Sequence, residues 1–367
     1  MKRLECLDGL RGVLAVYVML GHMAPFTALP AWITGPLKHG GAAVDMFFIL
    51  SGLVIVRSLE SCRFAARPFL ISRTARIFPV FLIMFAVGVA VQPLPVPFDA
   101  MPWIEPGSLA HDIWSQGWPA TWAIQIAAHL TMTHGLFPNG VLPDVCFSFL
   151  GAAWSLSTEW QFYVLALLLG RSRVGVERLA AVFLLLAVVG LAWDMTASEQ
   201  WRFGRAFLPN KAQYFALGVA SAGWVDRRSP RSFALVLAAT LVLCGARGDA
   251  EKLLPPLLWA VCLAAQLSPL RMSMVARPLR WRMVQWFGLV SYPIYLANEP
   301  IQKGLCLMLA WLAAGDAVTF TSVWVPASLL LPIGAAALLH RYVESPVQRH
   351  GRALARRGTS YAVHIGI

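Results

Sequence analysis

The sequence predicts an all-α, polytopic membrane protein of about ten transmembrane helices with both termini cytoplasmic. Three observations predict it. Of the 367 residues, 58% are hydrophobic and only 13% are charged, whereas a soluble globular domain carries about 25% charged residues. Apolar runs long enough to cross a hydrocarbon core recur along the whole chain. No alternation of period two marks the strands of a membrane barrel. The formal charge of +12 is accounted for by a bias of basic residues to one side of the membrane, so no nucleic-acid partner is implied.

Met1–Cys6 is read as cytoplasmic, and the first span runs outward from Leu7 to Ala24 (LDGLRGVLAVYVMLGHMA). A basic start before an apolar run resembles a signal peptide, but this run carries Arg11 and His22 and lacks a small-residue cleavage site, so it is kept as a span. The second span, about Gly41–Val56, returns inward to a loop holding Arg57, Arg63, Arg67, Arg73 and Arg76. The third is about Ile77–Val91, and from there to Gly170 the chain has no Lys or Arg. Within that basic-free region, Gln92–Pro119 is a Pro- and Trp-rich outer loop. Thr121–Leu136 is too short for an ordinary span and reads as an interfacial or re-entrant helix. The fourth span, about Cys146–Leu169, ends inside at Arg171, Arg173 and Arg178. Spans follow at about Leu179–Trp193, Ala212–Val225, Ser232–Ala246, Leu253–Leu267, Val284–Leu312 and Thr319–His340. Residues 1–343 form one transmembrane domain without an internal repeat, and 344–367 form a basic cytoplasmic tail. In this topology Lys38, Arg202, Arg205, Lys211, Arg247, Lys252 and Lys303 lie outside, Arg11 lies in the membrane, and the remaining basic residues lie inside. The six cysteines are scattered with no CxxC pair, which suggests neither a zinc site nor a disulfide framework.

Arg11 and His22 carry the chemistry of the first span. Ten residues separate them, so eleven helical steps bring both to one face, about 16 Å apart along the axis. A cation and an imidazole inside an apolar span are costly and mark a functional site. The topology brings His22, Asp45, Glu159 and Asn298 from four spans to a similar depth. His22 is then a general base or nucleophile, and Glu159 or Asp45 the carboxylate that orients it. Asp45 equally suits the N-terminal end of its own helix, where an acid is favourable. Ser155, Tyr292, Tyr295 and Asn298 line the same region as candidate substrate-binding residues. At the cytoplasmic end Arg73 and Arg76, with the deeper Arg11, form a graded positive entrance suited to a phosphorylated donor, although both also suit simple inner anchors. His111, His129 and His134 match no ligand spacing, and no metal is expected. The alternative for such an intramembrane polar set is a proton-coupled transporter. That reading calls for paired repeats and broken helices in corresponding halves, and neither is evident.

The runs LDGLRGVLAVYVMLGH, VDMFFILSGLVI, SRTARIFPVF, WSLSTEWQFYVL, SYPIYLANEP and RYVESPVQR, in this order, resemble the successive motifs of the acyltransferase-3 family, integral-membrane enzymes that O-acylate carbohydrates and other extracytoplasmic or lipid-linked acceptors. The resemblance implies an acyl-CoA donor such as acetyl-CoA, bound from the cytoplasmic side, with no tightly held cofactor. It implies a carbohydrate or glycolipid acceptor, lipid surroundings and a bacterial inner-membrane location. The family's Arg-x10-His pattern falls on Arg11 and His22, its RxxR pattern on Arg73 and Arg76, its WSLSxEW acid on Glu159, and its Glu-x-Pro pattern on Glu344 and Pro346. Asn298 stands where the family commonly has His; an amide can hydrogen-bond an acceptor hydroxyl but cannot relay a proton, which gives it a substrate-positioning role. Direct transfer and an acyl-His intermediate both remain open. Trp103, Trp114 and Trp118 of the outer loop are candidates for stacking on sugar faces.

Overall fold

The computed structural model describes residues 4–172, 175–226, 230–267, 273–313 and 315–364. The apolar runs fold into long helices: α1 (Glu5–Met23), α2 (Gly40–Ser61), α3 (Ala66–Val91), α4 (Trp154–Arg171), α5 (Val176–Thr196), α6 (Ala212–Val225), α7 (Pro230–Ala246), α8 (Leu254–Leu267), α9 (Arg282–Leu312) and α10 (Ala317–Leu339). A π turn, His340–Glu344, joins α10 to α11 (Ser345–His364). Among the described residues there is no strand, only an isolated bridge between Pro138 and Phe203. Six helical stretches are long and apolar enough to cross a membrane: Glu5–Phe26, Ala31–Ser61, Ala66–Val91, Val176–Thr196, Ala250–Leu267 and Ala317–Arg356. The other four long helices are short (α6, α7) or carry charged residues within them (α4, α9).

α1 lies along α9, and small residues set the approach. A Cβ built on Gly12 would stand 2.5 Å from the Gly288 backbone nitrogen, and one on Gly288 would stand 2.1 Å from the Asp8 carbonyl oxygen. Neither backbone can yield to a side chain, so the pair packs only with glycine at the crossing. α2 meets α6 in the same way, with Gly218 against the Ile49 carbonyl oxygen and Gly52 against Phe215. We expect Gly288→Val to push α1 off α9 at a cost of about 1–3 kcal/mol. A thermal-shift measurement in detergent should show the melting temperature fall, while Gly304→Ala on the same helix, where a Cβ meets nothing, leaves it unchanged.

Three boundaries differ from the sequence reading. The basic loop expected to reach Arg76 is a turn, Cys62–Ala65, in which Arg63 and Phe64 adopt left-handed φ values of 51° and 57°. Arg67, Arg73 and Arg76 therefore lie on the first turns of α3, because arginine is a good helix former and nothing after Ala65 stops the helix. The fourth helix begins at Trp154 and not near Cys146, because Phe149 turns the chain with φ 63° just before it. Finally, the boundary expected at 343/344 falls inside the π turn. The tail continues as α11 along α3, and Gly351 sits so close to Ala75 that an added Cβ would be 2.6 Å from it. Of the basic residues expected on inner segments, Lys2, Arg3, Arg173, Arg227, Arg228 and Arg271 lie outside the described residues.

Candidate active site

α1, α2, α3, α4 and α9 enclose a cavity of about 140 Å³ whose polar wall is Arg11, Ser51, Arg73, Arg76, Ser155, Glu159, Tyr163, Ser291, Tyr292 and Tyr295. A second space of about 310 Å³ shares Arg11, Arg73 and Arg76 with it and is further lined by Asp8, Ser72, Gln285, Gly288, Leu289, Gln348 and Arg352. The three arginines that the spacing singled out thus line both spaces, the cavity and what we term the vestibule.

Two of them, Arg73 and Arg76, have partners of their own. Arg73 donates to Ser58 Oγ at 3.0 Å and lies over the Phe69 ring. Arg76 lies over the Tyr292 ring and pairs with Glu344, a fully buried carboxylate. Glu344 also faces His340 Nδ1 at 2.6 Å and accepts from Gln348 Nε2 at 2.9 Å. The Tyr292 hydroxyl in turn donates to the Ile77 carbonyl, tying α9 to α3. Breaking such a buried pair from one side leaves an uncompensated charge, at about 3–5 kcal/mol. Glu344→Ala should therefore lower the melting temperature well below that of Glu344→Gln, which keeps acceptor capacity for Arg76; equal melting temperatures would show that the carboxylate does not hold Arg76.

Glu159 lies in the cavity wall, one turn from Ser155 and one turn from Tyr163, and accepts the Tyr163 hydroxyl at 2.5 Å. At the end of the cavity away from the vestibule, Ser155 Oγ and the Tyr295 hydroxyl are 3.0 Å apart. Ser155 Oγ also donates to the Ala152 carbonyl at 3.2 Å, and Ser291 Oγ to the Gly288 carbonyl at 2.9 Å.

His22 is not in the lining of this cavity. It stands at the far end of α1, half-buried, with Nδ1 2.6 Å from Oδ1 of Asn298. Asn298 is completely buried, and its Nδ2 donates to the Ile294 carbonyl at 2.9 Å and the Tyr295 carbonyl at 2.7 Å. Carbonyl oxygens only accept, so these two bonds fix which way the amide points. Its oxygen then faces the imidazole, and the His22 nitrogen opposite it must be the donor. A neutral His22 accordingly carries its proton on Nδ1 and its lone pair on Nε2.

The carboxylates expected beside His22 are elsewhere. Asp45 meets Lys211 Nζ at 2.6 Å, and Lys211 lies over the rings of Trp154 and Tyr214. The physical reason is lateral: the glycine contact turns this face of α2 toward α6 rather than toward α1. Asp45 is also five residues into α2, too deep to cap it. Glu159 shares the cavity with Arg11, Arg73 and Arg76 rather than the depth of His22. The structure therefore brings together Arg11, Arg73, Arg76, Glu159, Ser155, Tyr292 and Tyr295 at the cavity, and His22 with Asn298 beyond it.

The sequence reading did not single out Lys211, His340, Gln348 or Arg352. The last three had a visible signal, since His340, Glu344, Gln348 and Arg352 recur every fourth residue and so fall near one helix face. Lys211 had none. Among the outer tryptophans, Trp114 stacks on Phe26 with centroids 4.0 Å apart and Trp103 Nε1 donates to the Phe26 carbonyl, which leaves Trp118 as the exposed ring. Among the described residues, no three His, Cys, Asp or Glu side chains are placed to hold a metal ion. His129 and His134 stack 4.2 Å apart in the interior; His129 Nδ1 donates to the Gln125 carbonyl, and burial pushes its pKa down to about 4, so it stays neutral.

A family model for an acyltransferase domain matches residues 4–341. The acyltransferase MdmB of Streptomyces mycarofaciens is 26% identical over 386 residues, covering 95% of this chain and 92% of its own. Protein 2 in the picA locus of Rhizobium radiobacter is 31% identical over 170 residues, covering 43% of this chain and 78% of its own. No solved structure matches the chain. The match runs from the start of α1 to the π turn and takes in the cavity, its three arginines and the His22–Asn298 pair, and on this ground the chain belongs to the acyltransferase-3 family of membrane acyltransferases.

Proposed function

We propose that the protein moves an acyl group, acetyl in the simplest case, from cytoplasmic acyl-CoA to a hydroxyl of a carbohydrate or glycolipid on the far side of a bacterial inner membrane. In this reading all ten long helices from α1 to α10 span the bilayer, with both termini inside. The observation that carries it is the convergence of Arg11, Arg73 and Arg76 on the junction between vestibule and cavity. Guanidinium forks suit a diphosphate, and a cation cluster of this kind is costly unless an anion is to be bound there. From that junction the thin pantetheine arm would lie along the cavity toward Ser155 and Tyr295, with His22 about three helical turns, some 16 Å, beyond Arg11 on the same helix.

In direct transfer, Nε2 of His22 takes the proton of the acceptor hydroxyl as its oxygen attacks the thioester carbonyl. The C–O bond forms, the C–S bond breaks, and the imidazolium proton passes to the departing CoA thiolate. In the stepwise route Nε2 attacks the thioester carbonyl, the C–N bond forms, the C–S bond breaks and CoA leaves as the thiolate. The acceptor oxygen then attacks the acyl-imidazolium, the C–N bond breaks to return neutral His22, and the acceptor's proton passes to the thiolate. We assign the oxyanion to the Ser155 and Tyr295 hydroxyls, 3.0 Å apart, one of which would turn from its present partner to donate in either route. No tightly bound cofactor is needed, and the remaining partners are the acceptor and the surrounding lipid.

The test is release of free CoA from acetyl-CoA by purified protein, with and without a glycan pool extracted from cells. Release that depends on the pool, with label appearing in a glycan fraction, is the expected result. No release from acetyl-, propionyl- or longer acyl-CoA by folded protein would overturn the reading.

A further inference from the structure

We infer that α11, which lies beyond the family-matched residues 4–341, reads the nucleotide end of the donor, with Arg352 and Gln348 holding its 3′-phosphate. The inference rests on the acyl-CoA reading above and names residues that complete its site.

The vestibule has two kinds of wall. Arg11, Arg73 and Arg76 belong to both the vestibule and the cavity, whereas Gln348 and Arg352 line the vestibule alone. CoA is a linear molecule with its thioester arm at one end, a diphosphate in the middle and a phosphorylated ribose beyond. With the arm in the cavity and the diphosphate at the shared arginines, the ribose phosphate falls in the vestibule, on the α11 side.

α11 is fixed in this place by contacts of its own. Gly351 lets its backbone close on Ala75 of α3, and the buried Glu344 joins Arg76 to His340 and Gln348. Arg352 uses its Nε on the Gln348 carbonyl at 3.3 Å, and among the described residues nothing takes its terminal guanidinium nitrogens, which can meet a ligand. The charge balance still leaves room for an anion: four guanidiniums, Arg11, Arg73, Arg76 and Arg352, outnumber the three carboxylates of Asp8, Glu159 and Glu344 around the two spaces. A phosphate of a lipid headgroup has the same chemistry, so the experiment separates the two sources.

Full-length protein in neutral detergent is titrated with CoA and with 3′-dephospho-CoA, as wild type, Arg352→Ala, Arg352→Lys and Gln348→Ala. Wild type should prefer CoA, and Arg352→Ala should weaken CoA by about tenfold to a hundredfold, the loss of one charge-assisted hydrogen-bonding pair. The same variant should bind dephospho-CoA as wild type does, with Arg352→Lys between and Gln348→Ala weaker in effect. In turnover the loss should fall on KM for acyl-CoA rather than on kcat. A folded Arg352→Ala that binds CoA with wild-type affinity overturns this inference and leaves the donor reading intact. If wild type binds no CoA at all, the donor reading itself fails. If phosphatidylglycerol displaces bound CoA from wild type but not from Arg352→Ala, and wild type does not distinguish CoA from dephospho-CoA, the anion is a lipid headgroup and the inference is overturned.

Discussion

Replacing His22 by Ala should lower kcat for acyl transfer by about 10²–10⁴-fold while CoA still binds. The size is that of a removed general base or nucleophile, and the separation of the two effects follows from geometry. Donor affinity is assigned to the arginine junction, whereas His22 stands some 16 Å further along α1 and is absent from the lining of both spaces. Stability should fall by about 1–3 kcal/mol, because the buried Asn298 Oδ1 loses its donor while Nδ2 keeps both of its carbonyl partners. The measurement is CoA release in parallel with CoA binding on one preparation. Acceptor-dependent release undiminished in His22→Ala would take His22 out of the reaction while leaving the acyltransferase assignment in place.

How far this arrangement could be read from the chain depends on which dimension is asked for. Position along the membrane normal is written in the sequence, because apolar runs and helical rise together give the depth of each residue. That is why the long helices were legible, whereas Glu159, expected at the depth of His22, lies in the cavity with Arg11, Arg73 and Arg76. Position around the normal is not written there. Asp45 has the depth of a partner for His22, but the glycine contact of α2 with α6 turns it to Lys211, and no local pattern announces which helices are neighbours. The boundary of α3 was misplaced for a related reason. Five arginines in twenty residues look like a solvated loop by composition, yet Arg73 and Arg76 are helical and turned inward to Ser58, Tyr292 and Glu344. The π turn at His340–Glu344 was likewise invisible, although Pro346, which has no N–H to offer the carbonyl of Tyr342, is a local reason for the helix to slip register just there.

Asn298 is where sequence and geometry give different roles, and the difference can be measured. Read as a residue, an asparagine near a reacting hydroxyl positions substrate, and its loss should raise the acceptor KM. Read from its bonds, it is a positioning residue for the base: with Nδ2 spent on the Ile294 and Tyr295 carbonyls, its oxygen holds the Nδ1–H form of His22 and leaves Nε2 to react. Asn298→Leu removes that acceptor at similar volume, so the ring is free to turn or to carry its proton on Nε2. We expect kcat to fall by about 10²-fold, below the roughly 10⁴-fold that a wrong tautomer costs when a buried carboxylate is replaced, because a neutral amide is the weaker anchor. Asn298→Asp keeps an acceptor opposite Nδ1 and should recover a large part of kcat, despite leaving two carbonyls without their donor. Donor affinity should be unchanged in both variants. A Leu variant with wild-type kcat and a raised acceptor KM would return Asn298 to substrate binding. If Leu and Asp variants instead lose kcat equally while folded, the carbonyl-bound amide matters only as a whole and the tautomer argument falls. The rescue by Asp is the deciding comparison, because it restores the acceptor opposite Nδ1 without the donor to the Ile294 and Tyr295 carbonyls.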